Sequence, residues 1–299
     1  MRVLVAGGTG FIGRRVVDQL VAGRRHEISV MTRNPDAIPA RDTVRFVQGD
    51  VSEPNSLRAA VADAEAVIHC VQFPNHPVEN SRRGWTYEAV DGAGTEHMVQ
   101  ACLAANVRRF IYVSGAGAGP DRVESWFKAK HRAETAVTSS GLQYVILRPS
   151  WIYGPDDRSL NKFVAFVRYL PAVPVIGSGK ERVQPISVFD VARVIAASVD
   201  NGEATNRVFE LGSRDALTMD EIIETVMRIV DKKKPLVHQP TWLVKIPAAL
   251  LQFLPNAPLS PGAVDFITMD ERVDPSAAEK VFGVTFATLE EGLRSYLRP

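Results

Sequence analysis

Along the first half of the chain, short β-branched runs alternate with longer stretches whose apolar residues recur three and four positions apart. The runs at 2–6, 27–32, 44–48, 66–71, 109–114 and 143–147 predict strands. The stretches at 11–21, 55–61, 84–105 and 125–139 predict helices, the last stopped by Gly141 after Ser139 and Ser140. Strands separated by crossover helices imply a parallel sheet covered on both faces, and right-handed crossovers leave few topologies open. The expected class is α/β, a doubly wound parallel sheet of the Rossmann type.

After Arg148 and Pro149 the rhythm breaks. Pro155, Pro171, Pro174 and Pro185, with Gly154, Gly177 and Gly179, divide the chain into short pieces. A helical stretch at 188–199 and a strand-like run at 208–211 read as a return to the main sheet. The expected organisation is a Rossmann domain over 1–150, rejoined by 186–212, and a smaller discontinuous lobe within 151–299. That lobe would lie over the carboxyl ends of the strands, where such sheets bind ligands.

Composition narrows the function. With 299 residues, 45% hydrophobic and 23% charged, the chain has globular proportions, and disordered, collagen-like and disulfide-scaffold classes drop out. Lys plus Arg number 35 against 34 acidic residues, so no strong field points to nucleic acid, and none is expected as a partner. Cys70 and Cys102 form no CxxC or Cys/His cluster, so no metal is expected and the compartment reads as reducing, hence cytoplasmic. The apolar run at 3–6 is too short for a signal-peptide core, and no stretch of about 20 apolar residues predicts a spanning helix. Trp242, Leu243, Val244, Ile246, Leu250, Leu251, Phe253 and Leu254 can share a helix face. Such a stripe reads first as core, with docking on a membrane-protein partner or lying at a membrane surface as the alternatives.

The chemistry begins at residue 7. The strand 2–6 runs straight into Gly7-Gly8-Thr9-Gly10-Phe11-Ile12-Gly13, and a helix follows at once. Strand, glycine loop and helix in this order form a cradle for a dinucleotide pyrophosphate. Gly7 or Gly8 permits the turn, Gly10 lets the phosphates approach, Gly13 lets the helix pack closely, and unpaired N–H groups around Thr9, Phe11 and Ile12 face the anion. At the end of the second strand, where an acid would bind the ribose 2′-hydroxyl of NAD, the chain reads Met31-Thr32-Arg33-Asn34. Arg33 can pair with a 2′-phosphate through its planar fork, so NADP(H) is expected over NAD(H). Arg14 or Arg15 can supply a second phosphate contact.

These motifs, with Gly49-Asp50-Val51, Val90-Asp91-Gly92-Ala93-Gly94-Thr95, Leu147-Arg148-Pro149, Tyr153-Gly154-Pro155 and Ser187-Val188-Phe189-Asp190-Val191-Ala192, resemble the extended and atypical short-chain dehydrogenases/reductases. Within that superfamily the chain is similar to the atypical group that includes the nucleotide-binding accessory subunit of respiratory complex I and its bacterial relatives. The resemblance implies that Asp50 accepts from the adenine amino group while Val51 packs on the ring. It also implies that Cys70 and Val71 line the adenosine ribose and pyrophosphate, and that Pro149 and Ile152 lie near the nicotinamide. The Asp50 carboxylate equally suits a turn, given Ser52, Pro54 and Asn55.

In active members a Ser polarises the substrate oxygen, a Tyr transfers the proton, and a Lys four residues later holds the nicotinamide ribose. Here Lys130 matches the Lys, but the position four earlier is Trp126, whose indole N–H only donates and cannot serve as general acid or base. The serine position falls at Gly115, one past Ser114, which leaves Lys130 and Ser114 as the candidate catalytic remnant. Lys130 then reads either as a ribose contact or as a surface charge paired with Glu134. Tyr112 reads as core, and His131 and Tyr153 as the surrogate acids within reach of the cleft.

Two functions follow. The first is an NADP(H)-holding protein without the usual Tyr-dependent chemistry, in an accessory, assembly or redox-sensing role. The second is an active NAD(P)H-dependent reductase or nucleotide-sugar epimerase/dehydratase-like enzyme with a non-standard acid. The partners expected are the dinucleotide, a small molecule in the cleft, and a protein or membrane complex bound through the C-terminal lobe, with the chain at its periphery.

Overall fold

The computed structural model describes residues 1–74, 76–122, 124–251 and 261–298. In chain order the first half runs β1 (Arg2–Ala6), α1 (Phe11–Gly23), β2 (Glu27–Thr32), β3 (Val44–Gln48), α2 (Pro54–Val61), β4 (Ala66–His69), a π-helical turn (Tyr87–Ala93), α3 (Gly94–Ala104), β5 (Arg109–Val113), α4 (Ser125–Thr138) and β6 (Gln143–Pro149). The second half runs β7 (Ile152–Tyr153), α5 (Leu160–Tyr169), β8 (Val173–Ile176), β9 (Arg182–Val183), β10 (Ile186–Ser187), α6 (Val188–Ala197), β11 (Arg207–Leu211), β12 (Leu217–Thr218), α7 (Met219–Ile229), β13 (Leu236–Gln239), α8 (Thr241–Leu251), α9 (Pro261–Ile267), α10 (Ser276–Phe282) and α11 (Leu289–Arg294).

The main sheet has seven strands in the order β11-β6-β5-β4-β1-β2-β3, and its pairs are parallel. This is the doubly wound α/β fold. Strand order reverses between β1 and β4, the switch point at which such sheets open a crevice beyond their carboxyl ends. The run at 207–211 pairs with β6 at the sheet edge, from Arg207 opposite Val145 to Leu211 opposite Pro149.

Strand side chains alternate faces, so the sheet feeds two cores. Val3, Val5, Val30, Ile68, Ile111 and Leu147 pack against α1 and α6. Leu4, Met31, Val67, Phe110, Tyr112 and Ile146 pack against α2, α3 and α4. A separate cluster around Leu160, Val164, Ile222, Ile223, Val226 and Leu293 holds α5, α7 and α11 together. Both α7 and α11 start on a capping box, Thr218 with Glu221 and Thr288 with Glu291, which satisfies end N–H groups reciprocally.

Two elements depart from the periodicity. The stretch expected as one helix over 84–105 is instead the π-helical turn followed by α3, and at their junction Gly94 packs on buried Val51 so closely that a Cβ would lie 2.8 Å from its Cγ2. The stripe on α8 is not core: Trp242, Leu243, Ile246 and Leu250 are 61%, 49%, 59% and 74% exposed, while Gln252, Phe253 and Leu254 lie outside the described residues. Among the described residues no helix is long and apolar enough to cross a membrane.

Buried Arg109 at the start of β5 donates to Ser198 O at 2.7 Å, Thr205 Oγ1 at 2.9 Å and Asn201 O at 2.6 Å, tying the sheet to the connection that brings β11 back. Arg109→Met keeps the stem and strips those donors. Urea unfolding should show a loss of about 2 to 4 kcal/mol, as for buried charge-assisted bonds whose acceptors are left unmet.

Candidate functional site

The phosphate loop is built on two close approaches. Gly7 adopts φ +85°, and a Cβ there would lie 2.6 Å from Cys70 O on the neighbouring strand end. A Cβ on Gly13 would overlap the Gly7 carbonyl, so only glycine lets α1 sit this low on the loop. Gly10 differs: the nearest atom to its added Cβ is Gly7 O at 3.2 Å, and the loop does not otherwise need it bare. Gly10 is also the N-cap of α1 with no side-chain cap, which leaves the first-turn N–H groups to an outside anion. Thr9 is exposed, Phe11 and Ile12 are half-buried, and Phe11 Cζ approaches Gly154, where a Cβ would lie 3.4 Å away.

Where the resemblance would put the adenosine, Asp50 is half-buried and its Oδ1 accepts the Ser52 N–H at 2.8 Å in a turn geometry, which leaves Oδ2 without an assigned bond among the described residues. Val51 is buried beneath Gly94, and its carbonyl lies 2.8 Å from His97 Nδ1. The Cys70 thiol donates to Ala6 O at 3.2 Å, and burial pushes it up to about 12, so it stays neutral. Val71 follows, half-buried. Arg33 is exposed and carries no ion pair among the described residues. A groove of about 310 Å³ is lined by Gly8, Thr9, Val30 and Phe46 together with Arg14 and Arg41. Asp18 holds Arg41 at 3.0 Å, while Arg14 and Arg15 converge on Asp156 at 3.0 and 2.8 Å, bracing α1 against the loop after β7.

On the other side of the switch point, Ser114 and Ser150 follow β5 and β6, and their buried hydroxyls have no hydrogen-bond partner among the described residues. Pro149 is buried, its carbonyl accepting Ala116 N–H at 3.0 Å, and half-buried Ile152 pairs with Ile186. Buried polar atoms are seldom left unmet, so hydroxyls of this kind mark a place for a polar ligand. With the open N-cap, the bare Gly10 and the crevice, these features fit a dinucleotide.

Lys130 is neither a surface charge nor the partner of Glu134. Its ammonium lies 2.9 Å from Asp91 Oδ1, with side chains 5% and 0% exposed, and 3.5 Å from Val113 O. Glu134 pairs with Arg148 instead, at 2.5 Å. Burial opposes the Lys130 charge, but Asp91, and after it Tyr112, outweigh burial and hold the ammonium above the ordinary lysine range. Burial likewise lifts Asp91 above the usual carboxylate range, with Lys130 pulling it back. The short contact decides for the ion pair, because a neutral carboxyl there would strand a buried ammonium.

Asp91 was quoted above only as part of a motif. Its role was illegible because the residues that meet it, on the π-helical turn and α4, are 39 positions apart. Behind the pair, the Thr95 hydroxyl donates to Asp91 O at 2.6 Å and must therefore accept from His69 Nε2 at 3.1 Å. That fixes the His69 tautomer, and burial holds its imidazole neutral, down to about 3.

Trp126 packs on Gly115: a Cβ at 115 would overlap the indole ring, which also meets Phe127 edge-on with centroids 4.6 Å apart. Indole and missing hydroxyl are thus one substitution in space. Tyr153 is fully buried, its hydroxyl directed to Thr288 O at 3.4 Å, and burial pushes the phenol up, so it is no acid for the cleft. His131 is half-buried on α4.

A family model described as NAD(P)H-binding matches residues 7–202. The chain belongs to that family. It is an atypical short-chain dehydrogenase/reductase, similar to the Arabidopsis thaliana NADH dehydrogenase (ubiquinone) 1 alpha subcomplex subunit 9, with 29% identity over 84% of this chain and 63% of that protein. The Neurospora crassa NADH-ubiquinone oxidoreductase 40 kDa subunit is 26% identical over 98% of this chain and 78% of its own length. This short-chain dehydrogenase/reductase thus spans less than two thirds of the first of these relatives. A UDP-glucose 4-epimerase of Thermotoga maritima superposes with TM-score 0.77 at 21% identity, covering 98% and 96% of the two chains, which shows the shared fold.

Because the Gly10 position is open, Gly10→Val should fold and yet lose dinucleotide binding, its side chain standing where the pyrophosphate must approach. Circular dichroism and calorimetric titration with NADPH check both halves; a folded variant that binds as the wild type does removes the loop from the site.

Proposed function

We propose that this chain holds NADP(H) without the superfamily's tyrosine-dependent chemistry and serves as an accessory or redox-reporting component of a larger assembly. The observation that carries the reading is the Trp126 ring seated on Gly115: the positions for the phenol and the polarising hydroxyl are both filled by indole. The dinucleotide, when bound, supplies or takes a hydride. The chain's own residues bind and orient it: the loop from Gly7 to Gly13 receives the pyrophosphate, Asp50 and Val51 the adenine, and Lys130 and Ser114 the nicotinamide end. Exposed Arg33, with no ion pair among the described residues, takes the 2′-phosphate.

The complex I subunits among its relatives support a protein partner. The exposed α8 residues Trp242, Ile246 and Leu250 supply a surface of the right character for it, with the chain peripheral to a membrane complex. The unmet Ser114 and Ser150 hydroxyls favour one second reading, a small polar ligand beside the nicotinamide, turned over with help from an acid other than a phenol.

Calorimetric titration tests the cofactor preference. NADPH should bind more tightly than NADH, and Arg33→Ala should cost about 1 to 3 kcal/mol for NADPH with little change for NADH. Equal wild-type affinities for the two contradict it.

Turnover tests the closed site. Wild-type protein should oxidise NADPH with simple ketones at background rate, since a general acid is worth about 10² to 10⁴. Trp126→Tyr alone still lacks a hydroxyl at 115, and Gly115→Ser alone collides with the indole. Only the paired change should raise the rate, and in part. Wild-type ketone reduction at roughly ten per second, an ordinary enzyme's pace, refutes the closed-site reading.

A further inference from the structure

A protein that reports redox state must distinguish two forms of one ligand that differ mainly by a charge on the nicotinamide ring. The ring is cationic when oxidised and neutral when reduced. A lone buried ammonium below that ring would bias the site against the oxidised form, because opposite effects of water are largely removed there.

The chain does not present a lone ammonium. Lys130 comes with Asp91 at 2.9 Å, and the carboxylate is carried by the π-helical turn that packs along α4, with Gly92 near Ala129 and Arg132. A π-turn widens the helix by one residue and often marks a functional site. Here it places Asp91 inward while Glu88, one turn earlier, reaches Arg132 at the surface. Thr95 anchors the Asp91 backbone from behind, and His69 anchors Thr95.

We propose that Asp91 is a positioning residue that neutralises Lys130 at the nicotinamide end and thereby sets the balance between oxidised and reduced dinucleotide. The inference rests on the dinucleotide reading above, with Lys130 as the ribose contact. The other titratable groups that face the pair keep their charge state through the neutral range. Burial holds His69 and His76 neutral, each down to about 3, and pushes Cys70 and Tyr112 up to about 12. Burial also pushes Tyr87 up, and Glu134 is tied to Arg148. The pair alone therefore decides the charge beneath the ring.

The experiment is the ratio of dissociation constants for NADP⁺ and NADPH, measured by calorimetry on the full chain. Wild-type protein should give a ratio that stays within about twofold from about pH 6 to pH 9, since no facing group titrates there. Asp91→Asn leaves an uncompensated ammonium, and at about pH 6 the ratio should shift by about fivefold to tenfold in favour of NADPH. Asp91→Asn with Lys130→Met removes both charges, and the ratio should return to the wild-type value although both forms bind more weakly. A ratio unmoved in the single variant, a shift that persists in the double variant, or a wild-type ratio that drifts with pH overturns the proposal. Should Asp91→Asn not fold, Lys130→Met decides by the opposite sign: at about pH 9 the unpaired carboxylate should shift the ratio toward NADP⁺, and an unmoved ratio overturns the proposal. Failure of wild-type protein to bind either form defeats the dinucleotide reading instead, so the two failures are separable.

Discussion

The site depends on how closely two stretches of backbone pass each other. Gly7 turns under the Cys70 carbonyl, and Gly13 brings α1 down onto Gly7, with no room for a Cβ at either point. This contact joins the ends of β1 and β4, the pair between which strand order reverses, and aims the start of α1 across the crevice. Everything described on the adenosine and nicotinamide sides is arranged about that meeting. A side chain at either glycine would lift the helix and disperse the anion cradle along with the packing of Val16, Val17 and Leu20 against the sheet.

Much of the fold was legible because it is local. Period-two runs, helical stretches and the glycine loop are written within a few residues of one another, and the strand-like run at 208–211, observed as Arg207–Leu211, declared itself by the same pattern as the others. The π-helical turn was not legible: apolar spacing does not distinguish it from the α-helix that follows, and Gly94 at their junction meets Val51 some 43 residues earlier. Nor was the α8 surface: periodicity shows that apolar residues share a face but not whether anything covers it. In the site, Lys130 and Trp126 were singled out by the resemblance to active relatives, whereas the partner of Lys130 depended on a contact between separate elements. Glu134, at the ideal helical spacing, is engaged by Arg148 across to β6. Spacing offered the candidate, and tertiary contact reassigned it.

On the reading proposed above, Trp126 and Gly115 would make the loss of a reaction structurally conservative. Two polar groups of active relatives are replaced by one large ring and one absent side chain, and the volume balances: the indole lies where a Cβ would otherwise stand. The ring joins the cluster that holds Phe73, Tyr87 and Met98, so α4 remains well seated and Lys130 keeps its place one turn along. On that reading binding geometry and proton transfer are separable in this fold. The first is carried by backbone approaches and a buried pair, and the second by two side chains that can be exchanged together.

The return of the chain to its sheet has a bearing on how the molecule can be divided. After building the lobe's helices, the chain sends Ala278 of α10 and Phe286 back into the core shared by Val5, Ile111 and Phe209, and Asn201 donates to Val281 O at 3.0 Å. Edge strand β11 is therefore buttressed by segments made some seventy residues later. A ribosome that has released the first two hundred residues has made the phosphate loop but not the elements that close the sheet behind it. Until β11 is in place, β6 is the unpaired edge of the sheet, open to whatever strand comes near.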